Sequence, residues 1–412
     1  MSTGLLSPEK ENGRWPKVLI GDALDLINGR AFKPIEWSKS GRPIIRIQNL
    51  NNPNAVFNYY PGELPEKFLV KEGDLLFAWS GTPGTSFGAH IWKGGEAWLN
   101  QHIFKVEFDK KQFNKRFLQL AINQNLAEYI RAAHGAAGLA HITKGRFESS
   151  ELPVPPLTEQ REIVGEVEKQ FTRLEAGVAA LQRVQANLKR YRASVLKAAC
   201  EGNLVSTEVV HWKSASLGDV LTRIEAGKSF RCEERPPEAN EIGVVKVSAV
   251  TWGTYNELES KTCLDSERVE NRYLVSPGDF LFSRANTIEL VGACVIAQKV
   301  TLRVMLSDKI LRFHFSEQVL PSWVLYWLRS DFGRSEIERL ATGNQDSMRN
   351  IGQTRIREIA IKLPPIVEQK RIVAEVERRL SVVDQLEAVV TANFQRAARL
   401  RQSILHTSFN GA

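Results

Sequence analysis

The 412-residue sequence predicts two tandem mixed α/β (α+β) domains, separated by two long helices that form an antiparallel coiled coil. The product would be a pseudo-two-fold dumb-bell. Three observations predict it: a repeat that spans the chain, an apolar spacing of alternating three and four residues that ends each copy, and a connectivity that suits only one direction of helix pairing. The repeat is clearest where "PPLTEQREIVGEVE" (155–168) returns as "PPIVEQKRIVAEVE" (364–377), identical at nine of fourteen positions and 209 residues apart. Earlier segments echo at offsets that drift as loops change length, and the boundaries fall at 1–154, 155–205, 206–363 and 364–412.

Taken in chain order, each block opens on a "GD…L…G" segment, "IGDALDLINGR" (20–30) and "LGDVLTRIEAGK" (217–228). "PIIRIQNL" (43–50) and "EIGVVKVSAV" (241–250) alternate or run apolar, as short strands do. "GDLLFAW" (73–79) and "GDFLFSR" (278–284) predict buried strands, and "LNQHIFKVEF" (99–108) matches "LSDKILRFHF" (306–315). "KRFLQLAINQNLAEYIRAA" (115–133) and "SWVLYWLRSDFGRSEIERL" (322–340) predict amphipathic helices.

The prolines at 155–156 and 364–365 can open a helix but not lie within one. Acids come next (Glu159, Glu162, Glu166), bases crowd the far end (Lys189, Arg190, Arg192, Lys197), and Gly202 and Gly411 suit the stop. The predicted seam runs through Val167, Phe171, Leu174, Val178, Leu181 and Leu188 in the first helix, and Val376, Leu380, Val383, Val390 and Phe394 in the second, with polar interruptions that put Arg192 and Arg401 at matching places. A single amphipathic surface helix would share this spacing but would leave its doubling unexplained. A helix of about 45 residues spans about 68 Å. The second block, tied to the end of one helix and the start of the other, would have to bridge that length in a parallel pair. An antiparallel pair needs no such reach, and it sets acidic starts beside basic ends.

Composition narrows the function. The chain is 43% apolar and 25% charged with nine Trp, and it holds no apolar run long enough for a membrane span and no secretory signal, so a cytoplasmic location is expected. Cys200, Cys232, Cys263 and Cys294 include no closely spaced pair, which argues for reduced thiols and against structural zinc. A net charge of +8 favours an anionic partner, nucleic acid above all. Signals for catalysis fail on inspection. "EAGKSF" (225–230) has Thr where a P-loop needs its first glycine, and "SGTPGTSFG" (80–88) lacks dinucleotide-loop spacing and reads as a flexible loop. No Asn/Asp-Pro-Pro-Tyr/Phe box occurs, and His134 and His141 lack metal-ligand spacing.

Base-reading chemistry draws on Arg and Lys for guanine or phosphate, Asn and Gln for adenine, and Ser or Thr for either. The candidates fall into matched sets. Trp79, Ser80, Gly81 and Thr82 succeed one buried strand; Ser283, Arg284, Ala285 and Asn286 succeed its counterpart. Arg46, Gln48 and Asn49, with Lys246 and Ser248, would reach out from a strand. Gln101 and His102 stand opposite Asp308 and Lys309, and Lys144 and Arg146 opposite Gln353 and Arg355. Ser347, Arg349 and Asn350 lie in a polar loop.

Paired blocks ending in "PVPPLTEQREIV" and "KLPPIVEQKRIV", with the "GDLLF" and "GDFLF" strands, resemble the specificity (S) subunit of type I restriction–modification enzymes over essentially the whole chain. That resemblance implies double-stranded DNA as partner, each block being a target recognition domain for one half of a bipartite site, and a helix pair that sets the spacing. It also implies two modification (methyltransferase) subunits that carry S-adenosylmethionine and methylate adenine, restriction subunits able to join them, no membrane, and no cofactor on this chain. A coiled-coil scaffold that grips proteins, without sequence-specific DNA binding, is the alternative from another class; a self-contained nuclease or methyltransferase is the third.

Overall fold

The computed structural model describes residues 15–52, 55–81, 86–126, 129–130, 140–206, 212–265, 269–345 and 348–410. Contacts divide the chain into two compact units, residues 1–181 with 392–412, and residues 182–391.

The core of the first unit is an antiparallel sheet of β1 (Leu24–Asn28), β2 (Leu75–Ala78), β3 (Gly88–Ile91) and β4 (Ile103–Phe108), in the order β1-β4-β2-β3. All four residues of β2 are buried, as its apolar run requires. A second, mixed sheet places Arg42–Ile45 parallel to Ala97–Leu99. Helix α1 (Lys115–Gln124) opens on Asn114, whose side chain accepts the Arg116 and Phe117 amides.

The second unit repeats this plan. Its sheet has β5 (Leu221–Ala226), β6 (Phe280–Ser283), β7 (Cys294–Ile296) and β8 (Ile310–Phe315) in the equivalent order β5-β8-β6-β7. Its mixed sheet places Gly243–Val245 parallel to Val304–Met305. The glycine that ends each opening motif has a steric cause. A Cβ on Gly29 would lie 2.1 Å from the Asn100 carbonyl oxygen, and one on Gly227 would lie 1.8 Å from that of Leu306.

Three expectations are corrected. "PIIRIQNL" is a strand only to Ile45, then a short helix, Ile47–Asn51; its counterpart leaves the strand at Val245 for a 3-10 turn, Val247–Ala249. The stretch 322–340 is two helices, α3 (Pro321–Arg329) and α4 (Asp331–Leu340), broken at Ser330. Helix α3 is packed on most of its surface, Trp323 to Leu328 all being buried. Cys232 and Cys263, distant in sequence, oppose each other across antiparallel strands. The four cysteines are free, and burial pushes the Cys200 and Cys294 thiols up to about 12.

The long helices are α2 (Leu157–Cys200, 44 residues) and α5 (Ile366–Asn410, 45 residues). The doubled P-P-x-x-E-Q motif is the joint that fastens each to its domain. The fully buried Gln160 side chain donates to the carbonyls of Pro155 and Gln112, both at 2.9 Å, and accepts the Asn114 amide at 2.7 Å. Gln369 repeats the set with Pro364 (2.9 Å), Gln318 (3.1 Å) and the Leu320 amide (2.8 Å). Beside them, Glu159 accepts the Trp15 indole N–H at 3.0 Å and Glu368 that of Trp212 at 2.9 Å.

In the first unit the early part of α2 packs with the late part of α5: Val167 and Phe171 share a core with Ile404, Leu405 and Phe409. In the second unit the relation reverses, with Val195, Leu196 and Ala199 against Ile372, Val373, Val376 and Leu380. The pairing within each unit is therefore antiparallel. Of the predicted seam, Val167, Phe171, Leu188, Val376, Leu380, Val383 and Val390 are buried, and Leu174, Val178, Leu181 and Phe394 are half-buried. The polar interruptions meet the opposite helix: Arg192 pairs with Asp384 and, at 3.0 Å, with Glu387, while Arg401 pairs with Glu175 at 3.3 Å and lies 4.2 Å from the Phe171 ring. These partner acids lie along the helices, whereas the first turns carry Glu159 and Glu368, as the dipole argument expects.

Candidate nucleic-acid interface

Where β2 and β6 end, the two domains share one backbone frame. After β2, the Trp79 amide donates to the His102 carbonyl (3.3 Å), and its own carbonyl accepts the Ile142 amide (3.0 Å). After β6, the Arg284 amide donates to the Lys309 carbonyl (2.9 Å), and its carbonyl accepts the Ile351 amide (2.9 Å). Beyond each lies a short antiparallel ladder, Ser80–Gly81 with Ala140–His141, and Ala285–Asn286 with Met348–Asn350. The main chain thus places Trp79, His102 and His141 in one domain where it places Arg284, Lys309 and Asn350 in the other.

The side chains differ in character. The Trp79 ring is half-buried, stacked 6.0 Å from Phe104 and edge-on to His141 at 4.6 Å, so it is packed and not a free stacking platform. Burial first, then the neighbouring charges of His141 and Arg46, holds the His102 imidazole below its usual range. Trp79 Nε1, Gln101 Oε1 and His102 Nδ1 are buried with no hydrogen-bond partner among the described residues, and so is Arg349 Nε in the second domain. Orphaned polar atoms are costly in a folded interior; Trp79 Nε1, Gln101 Oε1 and His102 Nδ1 lie close together at the end of β2, while others such as Trp98 Nε1 and Arg312 Nε lie elsewhere. In the second domain, Arg284 Nε meets Asn350 Oδ1 at 3.4 Å and Lys309 is exposed; neither cation has a carboxylate partner among the described residues.

Other candidates separate. Arg46 caps the short helix 47–51, its guanidinium 5.2 Å from the Trp37 ring, and Gln48 is exposed. Asn49 is 6% exposed: its side chain accepts the Arg46 amide and donates to the Ala55 carbonyl, so it holds the turn and does not reach outward. Ser283 is fully buried as the last residue of β6, and Gly81 is buried in its ladder; neither is an outward contact. Lys246 pairs with Glu234 at 3.4 Å and Ser248 donates to Glu259 at 2.6 Å, so carboxylates already occupy both. Lys144 donates to the Leu26 carbonyl at 3.1 Å, and Arg355 to that of Leu340 at 3.0 Å, on matching short helices where Arg146 and Gln353 stay exposed. Asn286 accepts the Thr287 amide at 2.9 Å, and Arg349 donates to the Gly343 carbonyl at 2.8 Å. Asp308 accepts the Ser229 hydroxyl at 2.8 Å. Thr82 and Ser347 lie outside the described residues, as do Gly411 and the remainder of 82–85 in the loop 80–88.

Sequence reasoning passed over three contributors. His141 was weighed only as a metal ligand, yet the 209-residue offset pairs it with Asn350. Arg334 donates to the Ile288 and Val291 carbonyls and lies 4.6 Å from the Trp252 ring, whose N–H donates to the Glu289 carbonyl, so these two side chains brace the loop just after Asn286. No sequence pattern marked them.

Residues 12–180 and 209–388 match the family model described as the type I restriction modification DNA specificity domain. The specificity subunit of type I restriction enzyme EcoKI from Escherichia coli (strain K12) is 26% identical over 96% of this chain and 89% of its own length. That of EcoBI from Escherichia coli is 24% identical over 96% and 86%. A chain solved in a study of complex assembly and conformational transition of the type I R-M system superposes with a TM-score of 0.71 at 19% identity, covering 98% of this chain and all of that one (100%). The HsdS subunit from Thermoanaerobacter tengcongensis gives 0.52 at 18%, covering 98% of each. At such identities the structural likeness bears on fold alone. No helix among the described residues is long and apolar enough to cross a membrane.

Proposed function

Because the chain belongs to the type I restriction–modification DNA specificity family, we propose that it is the non-catalytic subunit that reads a bipartite, asymmetric DNA site. Each domain reads one half. The helix pair sets the gap between halves and docks two modification subunits, which bring S-adenosylmethionine and methylate adenine N6; restriction subunits are able to join that assembly. The observation that carries the reading is the shared frame with unlike side chains. Equivalent main-chain bonds hold Trp79 and Arg284, so the two domains present one geometry with different chemistry, as two different half-sites demand.

The test is methylated-base sequencing of DNA from cells that express the protein with its modification partners. Adenine methylation within one two-part motif is expected. Replacing residues 212–363 by the matching block of a relative should change one half of that motif. A change in both halves, or in neither, would overturn the modular reading.

A further inference from the structure

We infer that Arg284 reads a guanine in the half-site of the second domain, and that Asn350 is the positioning residue that aims it. The inference deepens the DNA-reading assignment above and rests on it.

Arg284 is held on both sides of its backbone, by the Lys309 carbonyl and the Ile351 amide, so its Cα is pinned at the end of β6. Its guanidinium is then held at one corner only, Nε to Asn350 Oδ1 at 3.4 Å. The two terminal Nη groups have no partner among the described residues. They are the two parallel donors that guanine O6 and N7 accept in the major groove.

The surroundings support a nucleic-acid ligand over an internal ion pair. Many other arginines of this domain are already engaged: Arg312 pairs with Glu225 and Asp279, Arg235 with Glu241, Arg334 with Glu338 and Arg339 with Glu336, while Arg329, Arg349, Arg355 and Arg357 donate to backbone carbonyls. Arg284 and exposed Lys309 carry their charge at one edge without such partners among the described residues. Side chains oriented by a second layer discriminate better than freely moving ones. Here Asn350 supplies that layer from a strand, and Arg334 with Trp252 braces the adjoining loop. In the first domain the equivalent frame carries Trp79, which cannot offer a fork of donors, so a guanine requirement at the corresponding position belongs to the second half-site alone.

The experiment uses the full chain with its modification subunits, and measures methylation at every single-base variant of the motif. Arg284→Gln and Arg284→Lys should both relax the requirement for guanine at one position of one half by about 10–100-fold, leaving the other half unchanged. Asn350→Ala should relax the same position by a smaller factor. The lysine variant keeps the charge and loses the fork, so it separates base reading from phosphate attraction. The assignment is overturned if Arg284→Lys retains the guanine requirement while Arg284→Gln lowers methylation evenly across sequences, or if neither variant alters the motif. Failure of the unaltered protein to yield any two-part motif would instead sink the underlying DNA-reading assignment.

Discussion

Gln160 and Gln369 show how much one side chain can carry. Each is an amide with no exposure, bonded to two carbonyls and one backbone N–H, and each joins the start of a long helix to the segment before α1 or α3. Leucine is one atom shorter and satisfies none of those groups, so buried polar atoms are left bare. Gln160→Leu and Gln369→Leu should each lower stability by about 2–4 kcal/mol, measured by urea titration with tryptophan fluorescence. An unchanged midpoint would show that the joint contributes nothing. The motif was legible as a repeat, and its prolines and acids as a helix start. That the glutamine faces inward was not legible, because glutamine is ordinarily a surface residue and only the tertiary contact supplies its partners.

At the scale of elements, the long helices were the most readable part, since one periodicity sustained over many turns has few competing explanations. Short elements were less readable. The end of the strand Arg42–Ile45 depends on Asn49 folding back to accept the Arg46 amide, a local bond that competes with extension. The break between α3 and α4 depends on Ser330 and on Gly333, where a Cβ would lie 2.3 Å from the Trp327 carbonyl oxygen. The helix pair carries a length prediction. One heptad inserted beside Leu181, with a matching heptad beside Val390, adds about 10.5 Å, close to three base pairs at about 3.4 Å each. Methylated-base sequencing should find the gap between half-sites longer by about three base pairs with the same bases read; an unchanged gap would mean the helices set no spacing.

For the whole molecule, a net charge of +8 is a statement about partners and not about fold. If the candidate edges meet DNA, affinity should fall linearly on a log–log plot against salt, with a slope of about −0.9 per neutralised phosphate. Lys309→Ala should make that slope shallower by about one when it contacts a phosphate, as read by mobility-shift titration at several salt concentrations. A flat salt response would favour the protein-gripping scaffold. The candidate interface was half legible. The sequence marked the ends of β2 and β6 because a rigid buried strand must present the residues just beyond its end, and Arg284, Lys309 and Asn350 were among its candidates. It also offered Asn49 and Ser283, which are buried, because side-chain chemistry alone does not say which way a residue faces.

The amino-acid sequence by itself determined that this protein is a duplicated α/β plan with two long helices. Repetition and period are properties of residue order, and they survive without coordinates. Tertiary structure alone decided which polar residues are spent on the fold and which are not bonded within the described residues. That partition depends on groups brought together from distant positions, such as Asn350 with Arg284 or Gln160 with Asn114, and burial makes each such meeting either a satisfied bond or an unmet one.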